Sequence, residues 1–310
     1  MTASQNTAAI NNEMRPHEWM LLITLSLVWA GSFFFNGVAV RELPVMSIVI
    51  GRVSIASLIL VPWLIWRGIS LPRDPAIWCA FLIMGLFNNV LPFCLIVWAQ
   101  GHVSSGQAAI LNATSPIFTV IVAHLLTDDE RLSPSRLAGV LLGFAGVAVM
   151  VGGGMMHDSG ATLAAYCALL GASLSYGYAF VFGRCFRTFG IMPMTTAAGQ
   201  LVCSSLLLLP LWLVLDRPWQ MPAPGMAVIL AVIGIASIST AFAYGLYFRI
   251  LTTAGATNLS LVTILIPPGA ILLGVAFLGE ELLMRHLAGL ALIIAGLLVT
   301  DGRILRRRQS

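Results

Sequence analysis

Apolar residues run through this chain in blocks of about twenty, each ended by charges or by a Pro/Gly cluster. A block of that length crosses the hydrocarbon core of a bilayer as a helix. The pattern predicts ten such spans, approximately 19–40, 44–66, 76–98, 104–126, 135–153, 160–183, 193–215, 224–250, 256–278 and 284–301. The connecting loops are short, so no soluble domain is expected between them. Residues 1–18 are polar and are expected to be a disordered cytoplasmic N-terminus. They lack a separate apolar region with a cleavage site, so a removed signal peptide is not expected.

The pattern repeats. "GQAAILNATSPIFTVIVAHLLTDDERLSPSRLAG" and "TNLSLVTILIPPGAILLGVAFLGEELLMRHLAG" align at a shift of 151, which superimposes Pro116 on Pro267 and Glu130 on Glu281. One residue later in register, Leu137-Ala138-Gly139 falls on Leu287-Ala288-Gly289, and Gly51-Arg52 resembles Gly199-Gln200. The expected organisation is a first five-helix repeat over 19–155, a second over 156–302 and a basic cytoplasmic tail over 303–310. Five is odd, so the second copy would cross in the opposite sense. Transporters built on that plan place their substrate site near the midplane between the halves.

Composition fits this reading. Hydrophobic residues make up 59% of the 310 and charged residues 9%, against roughly a quarter charged in soluble domains. Lysine is absent, so a Walker A loop and Schiff-base chemistry are excluded. With the N-terminus in the cytoplasm, twelve arginines lie inside and three outside, with Arg52 within a span. The positive-inside rule therefore predicts both termini in the cytoplasm. The five cysteines are scattered without a paired motif and read as small buried hydrophobes, and His17, His102, His157 and His286 read as solvated flanks. No metal site or cofactor is expected.

Ten spans in two halves, each with a mid-span proline, a glutamate in its fourth loop and a Gly-rich fifth span, resemble the EamA family of the drug/metabolite transporter superfamily. "LIPPGAILLGVAFLGEELLMRHLAGLALIIAG" and Arg52 carry the likeness most specifically. The resemblance implies an all-α integral inner-membrane protein with two inverted five-helix repeats. It also implies a secondary transporter that exports small amphipathic metabolites by alternating access, with exporters of aromatic and neutral amino acids the nearest likeness. Expected partners are a small-molecule substrate and the lipid bilayer, not nucleic acid, and a monomer is favoured.

Polar groups inside spans face a bundle interior or a wet cavity. Asn88-Asn89 and Phe93 fall on Ser239-Thr240 and Tyr244 at the same shift. Four-residue spacing on a helix puts Asn89 with Phe93, and Thr240 with Tyr244, on one face. Each copy would then offer a polar group beside an aromatic ring, suited to a substrate with a polar end and an apolar body. The predicted substrate-binding residues are Trp29, Asn36, Asn89, Phe93, Trp98, Asn112, Tyr176, Thr240, Tyr244 and Asn258. Arg52, Pro116, Pro267, Glu130 and Glu281 are assigned structural or gating roles, Arg52 as a brace because its counterpart is neutral Gln200. Interhelical packing remains the alternative for each polar stripe. No carboxylate is evident at midplane, which favours gradient-driven export over proton coupling. A membrane enzyme and a channel remain open as classes, although HExxH, DDxxD and GxSxG are all absent from the chain.

Overall fold

The computed structural model describes residues 15–127, 133–152, 160–259 and 261–301. Glu130 and both predicted tails up to residue 14 and from 302 lie outside this set. Among the described residues the regular structure is helical: α1 Pro16–Ala39, α2 Val45–Trp66, α3 Pro75–Gln100, α4 Ser105–Leu126, α5 Pro134–Gly152, α6 Gly160–Phe182, α7 Pro193–Leu215, α8 Met226–Thr253, α9 Val262–Leu278 and α10 Met284–Asp301. Helices α1 to α8 are long and apolar enough to cross a membrane by length and composition, whereas α9 and α10 are apolar but shorter. The first helix starts at Pro16 and takes in the last three residues of the expected tail, and the Glu18 carboxylate accepts from the N-cap Arg15 N–H at 2.8 Å.

Four of these helices are not regular. α3 carries a π-helical turn at Leu86–Val90, and α8 carries one at Ser237–Phe242. The two turns start at positions related by the 151-residue shift. In α3 the reason is visible. Pro92 has no N–H to return to the Phe87 carbonyl, and Ser175 Oγ on α6 donates to that carbonyl instead, at 2.6 Å. α4 breaks between Asn112 and Ser115, and α9, preceded by a short helix Gly255–Leu259, ends in a π-helical turn at Gly274–Leu278. The paired prolines therefore do different jobs. Pro116 stands in the first turn of the second piece of α4, where a missing N–H costs nothing, while Pro267 and Pro268 lie inside α9.

The repeat halves do not form two lobes. The main packings join one half to the other: α1 on α9 and α6 on α4, α1 on α8 and α6 on α3, α2 on α8 and α7 on α3, with α2 on α7 and α5 on α10. Each cross-pair has its exchanged counterpart, as a two-fold relation requires. The α5–α10 contact is the closest. A Cβ on Gly139 would lie 2.6 Å from the Gly296 carbonyl, and one on Gly146 would lie 2.7 Å from that of Gly289; both relations are reciprocal. Without a hydrophobic driving force in lipid, close backbone approach through small residues is a main source of helix affinity, and the Gly-rich fifth span of each repeat supplies it here.

One end of the bundle is sewn shut by carboxylates set on helix N-termini of the opposite half. Glu280 accepts from the Ser105 N–H at 2.8 Å and the Gly106 N–H at 3.3 Å. Asp216 accepts from the Ser47 N–H and Oγ, both at 2.7 Å, and Glu42 accepts from the Gly225 N–H at 2.6 Å. The unsatisfied N–H groups and positive dipole end of a helix favour an anion there. Glu281, expected to have a structural or gating role, is exposed, and its neighbour Glu280 makes this bond. His286 is likewise no solvated flank. It is 1% exposed, with Nε2 at 2.9 Å from Gln107 Nε2, whose amide also donates to Tyr166.

Candidate functional site

A cavity of about 900 Å³ lies between the halves. Its deep wall takes Trp29, Phe33 and Asn36 from α1, Arg52 from α2, Asn88 and Phe93 from α3, and Asn112 from α4. From the second half come Tyr176 on α6, Gln200 on α7 and Ser239, Thr240, Tyr244 and Tyr247 on α8. It runs to a rim formed by residues 183–193, which include the exposed Arg184, Arg187 and Gly190. That rim leads into the start of α7, whose other end carries Asp216 at the closed face.

Hydrogen bonds and ring contacts fix the wall. Asn88 Nδ2 donates to Gln200 Oε1 at 3.0 Å, and Gln200 Nε2 donates to the Tyr244 hydroxyl at 3.1 Å. Arg52 Nε donates to Thr240 Oγ1 at 3.0 Å, and its guanidinium carbon stands 3.6 Å from the centre of the Phe93 ring. A cation over an aromatic face is worth about 2 kcal/mol when desolvated. Thr240 Oγ1 in turn donates to the Ile235 carbonyl at 2.8 Å. Asn36 Nδ2 donates to Gln100 Oε1 at 2.9 Å, which ties the wall to the Phe33 carbonyl through Gln100 Nε2. Trp29 packs on Tyr247 with ring centres 5.9 Å apart, and Tyr244 stacks on Phe248 at 6.0 Å.

Of the predicted binding residues, Trp29, Asn36, Phe93, Asn112, Tyr176, Thr240 and Tyr244 line this cavity, as does Arg52. Asn89 does not. It is completely buried away from the cavity, donating to Ser204 Oγ at 3.0 Å, and its neighbour Asn88 faces the space instead. The π turn is the cause. A bond from residue i to i+5 adds one residue to the turn, so Asn88 stacks with Phe93, and Ser239 with Tyr244, rather than residues four apart. Trp98 stands at the end of α3, 39% exposed and packed on His102, and Asn258 is buried, donating to its own helix at the Ala254 carbonyl. Sequence reasoning missed Gln200 and Asn88 as wall residues, and Ser239 beside them. The repeat alignment of Arg52 with Gln200 was the signal that could have found the first.

A helical fold of two interleaved repeats, with a cavity wall drawn from both, narrows the family. The family model described as the EamA-like transporter family matches twice, over residues 18–152 and 163–300. This chain belongs to the EamA-like transporter family. The two matches correspond to the two interleaved halves described above. Among EamA-like relatives, the chain is 28% identical to the uncharacterized inner membrane transporter YedA of Escherichia coli K12, over 92% of this chain and 90% of that one. It is 25% identical to a probable terminal-alkyne amino-acid exporter of Streptantibioticus cattleyicolor, over 94% and 95% of the two chains. A solved crystal structure shares the fold with a TM-score of 0.66 at 20% identity, covering 96% of this chain and all of the other. The chain is thus a multi-pass membrane protein of a transporter family. Nothing in these likenesses singles out exporters of aromatic and neutral amino acids.

Proposed function

We propose that this protein exports small amphipathic metabolites, amino acids with aromatic or neutral side chains among them, by alternating access through the cavity between its halves. One observation carries the reading: the wall of that cavity takes a polar group and an aromatic ring from each repeat, Asn88 with Phe93 and Ser239 with Tyr244. Trp29, Tyr176 and Tyr247 supply the apolar side, and Asn36 and Asn112 each hold a buried amide oxygen that no group satisfies among the described residues. Such oxygens suit an ammonium or hydroxyl donor on the substrate. The exporter relative, named for an amino acid, supports the same class. An opening at one end and carboxylate caps at the other support a carrier over a channel. In the ten-span inverted arrangement with both termini in the cytoplasm, the open rim at residues 183–193 faces the cytoplasm, ready for loading. The deciding experiment is counterflow in proteoliposomes. Labelled phenylalanine should accumulate transiently against an internal pool of unlabelled phenylalanine. Linear leak without overshoot would mean a channel, and no flux of any amino acid would sink the substrate class.

A further inference from the structure

The charges along the cavity have one sign. Three arginines line it, Arg52 deep in the wall and Arg184 and Arg187 at the rim, and no aspartate or glutamate does so among the described residues. Arg52 is 8% exposed. Its hydrogen bond runs from Nε to Thr240, and among the described residues neither terminal NH₂ group has a hydrogen-bond acceptor. A guanidinium set into a largely apolar wall favours an anion or further acceptors beside its terminal N–H groups. Bracing alone does not account for the charge. The repeat counterpart, Gln200, lines the same cavity and braces its wall through Asn88 and Tyr244 with a neutral amide. Moreover, the fork of terminal N–H groups is the geometry that holds a carboxylate in bidentate fashion.

We propose that Arg52 is the anchor for the carboxylate of the transported molecule, so that the site takes amphipathic organic acids and recognises them by the carboxylate rather than by an ammonium group. This rests on the cavity being the transport site. Phe93, held flat under the guanidinium, keeps its fork aimed into the space, and Arg184 and Arg187 raise the local concentration of anions at the rim. The amino acid then becomes one member of a wider class. Its α-amino group adds contacts at Asn36 or Asn112 but is not required.

Four ligands separate the possibilities: L-phenylalanine, 3-phenylpropionate, L-phenylalaninamide and phenethylamine. Each is measured as a competitor of labelled substrate in proteoliposomes and, independently, as a thermal stabiliser of the detergent-solubilised protein. The two carboxylates should compete and stabilise, and the amide and amine should not. Arg52→Gln, which restores the residue of the other half, should weaken carboxylate binding roughly ten- to hundredfold, as loss of a charged hydrogen-bonding partner does. Arg52→Lys should retain part of it. Monodisperse elution of both variants controls for folding. If phenylalaninamide matches phenylalanine in the wild type, or if Arg52→Gln binds carboxylates normally, the anchor is wrong while amino-acid export stands. If 3-phenylpropionate binds through Arg52 but no amino acid is exported, the anchor stands and the amino-acid reading falls.

Discussion

Asn88 and Asn89 offer a sharp test, because adjacent residues of one type should fail in different ways. Asn88→Ala removes the donor to Gln200 Oε1, 3.0 Å away, and frees the Gln200 amide that reaches Tyr244. One neutral hydrogen bond is worth roughly 0.5–1.5 kcal/mol, or about two- to tenfold in affinity. The apparent affinity for labelled substrate should fall by that factor. Stability should hardly change, since Asn88 is only partly buried and water can replace the bond from the cavity side. Asn89→Ala instead removes the bond to Ser204 Oγ at a fully buried position. Ser204 keeps its own donation to the Gln200 carbonyl at 2.6 Å, so the loss is limited to about 1 kcal/mol of stability and should leave affinity alone. Counterflow at several substrate concentrations gives the affinity, and thermal unfolding in detergent gives the stability. If Asn89→Ala weakens binding at full stability while Asn88→Ala transports normally, the π turn does not set the face of α3 and the wall is wrongly drawn.

The remaining predictions concern packing, the closed face and coupling. Gly146→Val should cost about 1–3 kcal/mol or block folding, because the new side chain meets the Gly289 carbonyl and the Ile293 backbone nitrogen, which cannot swing aside, whereas Gly245→Ala, with open space beside it, should be silent; unfolding in detergent reads both. Glu280→Gln should loosen the closed face by about 0.5–2 kcal/mol and raise labelling of a cysteine placed at position 105, while Glu281→Gln should leave labelling unchanged. Because no carboxylate lines the cavity among the described residues, a substrate gradient alone should drive flux, and a protonophore should not abolish it; strict dependence on an imposed pH gradient would refute this.

The sequence by itself determined the lipid environment, because composition and run length answer to the hydrocarbon thickness and to little else. It also determined the doubling, because a repeat leaves residue-by-residue traces such as Pro116 on Pro267. Small-residue spacing announced the close packing of α5, since only glycine permits backbones to touch, and aromatic residues with mid-span polar groups announced most of the cavity wall. What it could not determine was direction around a helix. A four-residue rule assumes an unbroken α-helix, and the widened turn at Leu86–Val90 exchanged Asn89 for Asn88. The removal of that turn's regular bonding depends on Ser175, distant in sequence, reaching the Phe87 carbonyl. Nor could it choose between Glu280 and Glu281, because both sit in one loop and only the arrival of Ser105 from the other half decides which carboxylate meets a helix N-terminus. The hydrogen bonding of Arg52 was hidden for the same reason. A lone arginine in a span reads as a brace until the tertiary structure shows which of its donors the protein uses, and that it uses Nε alone among the described residues.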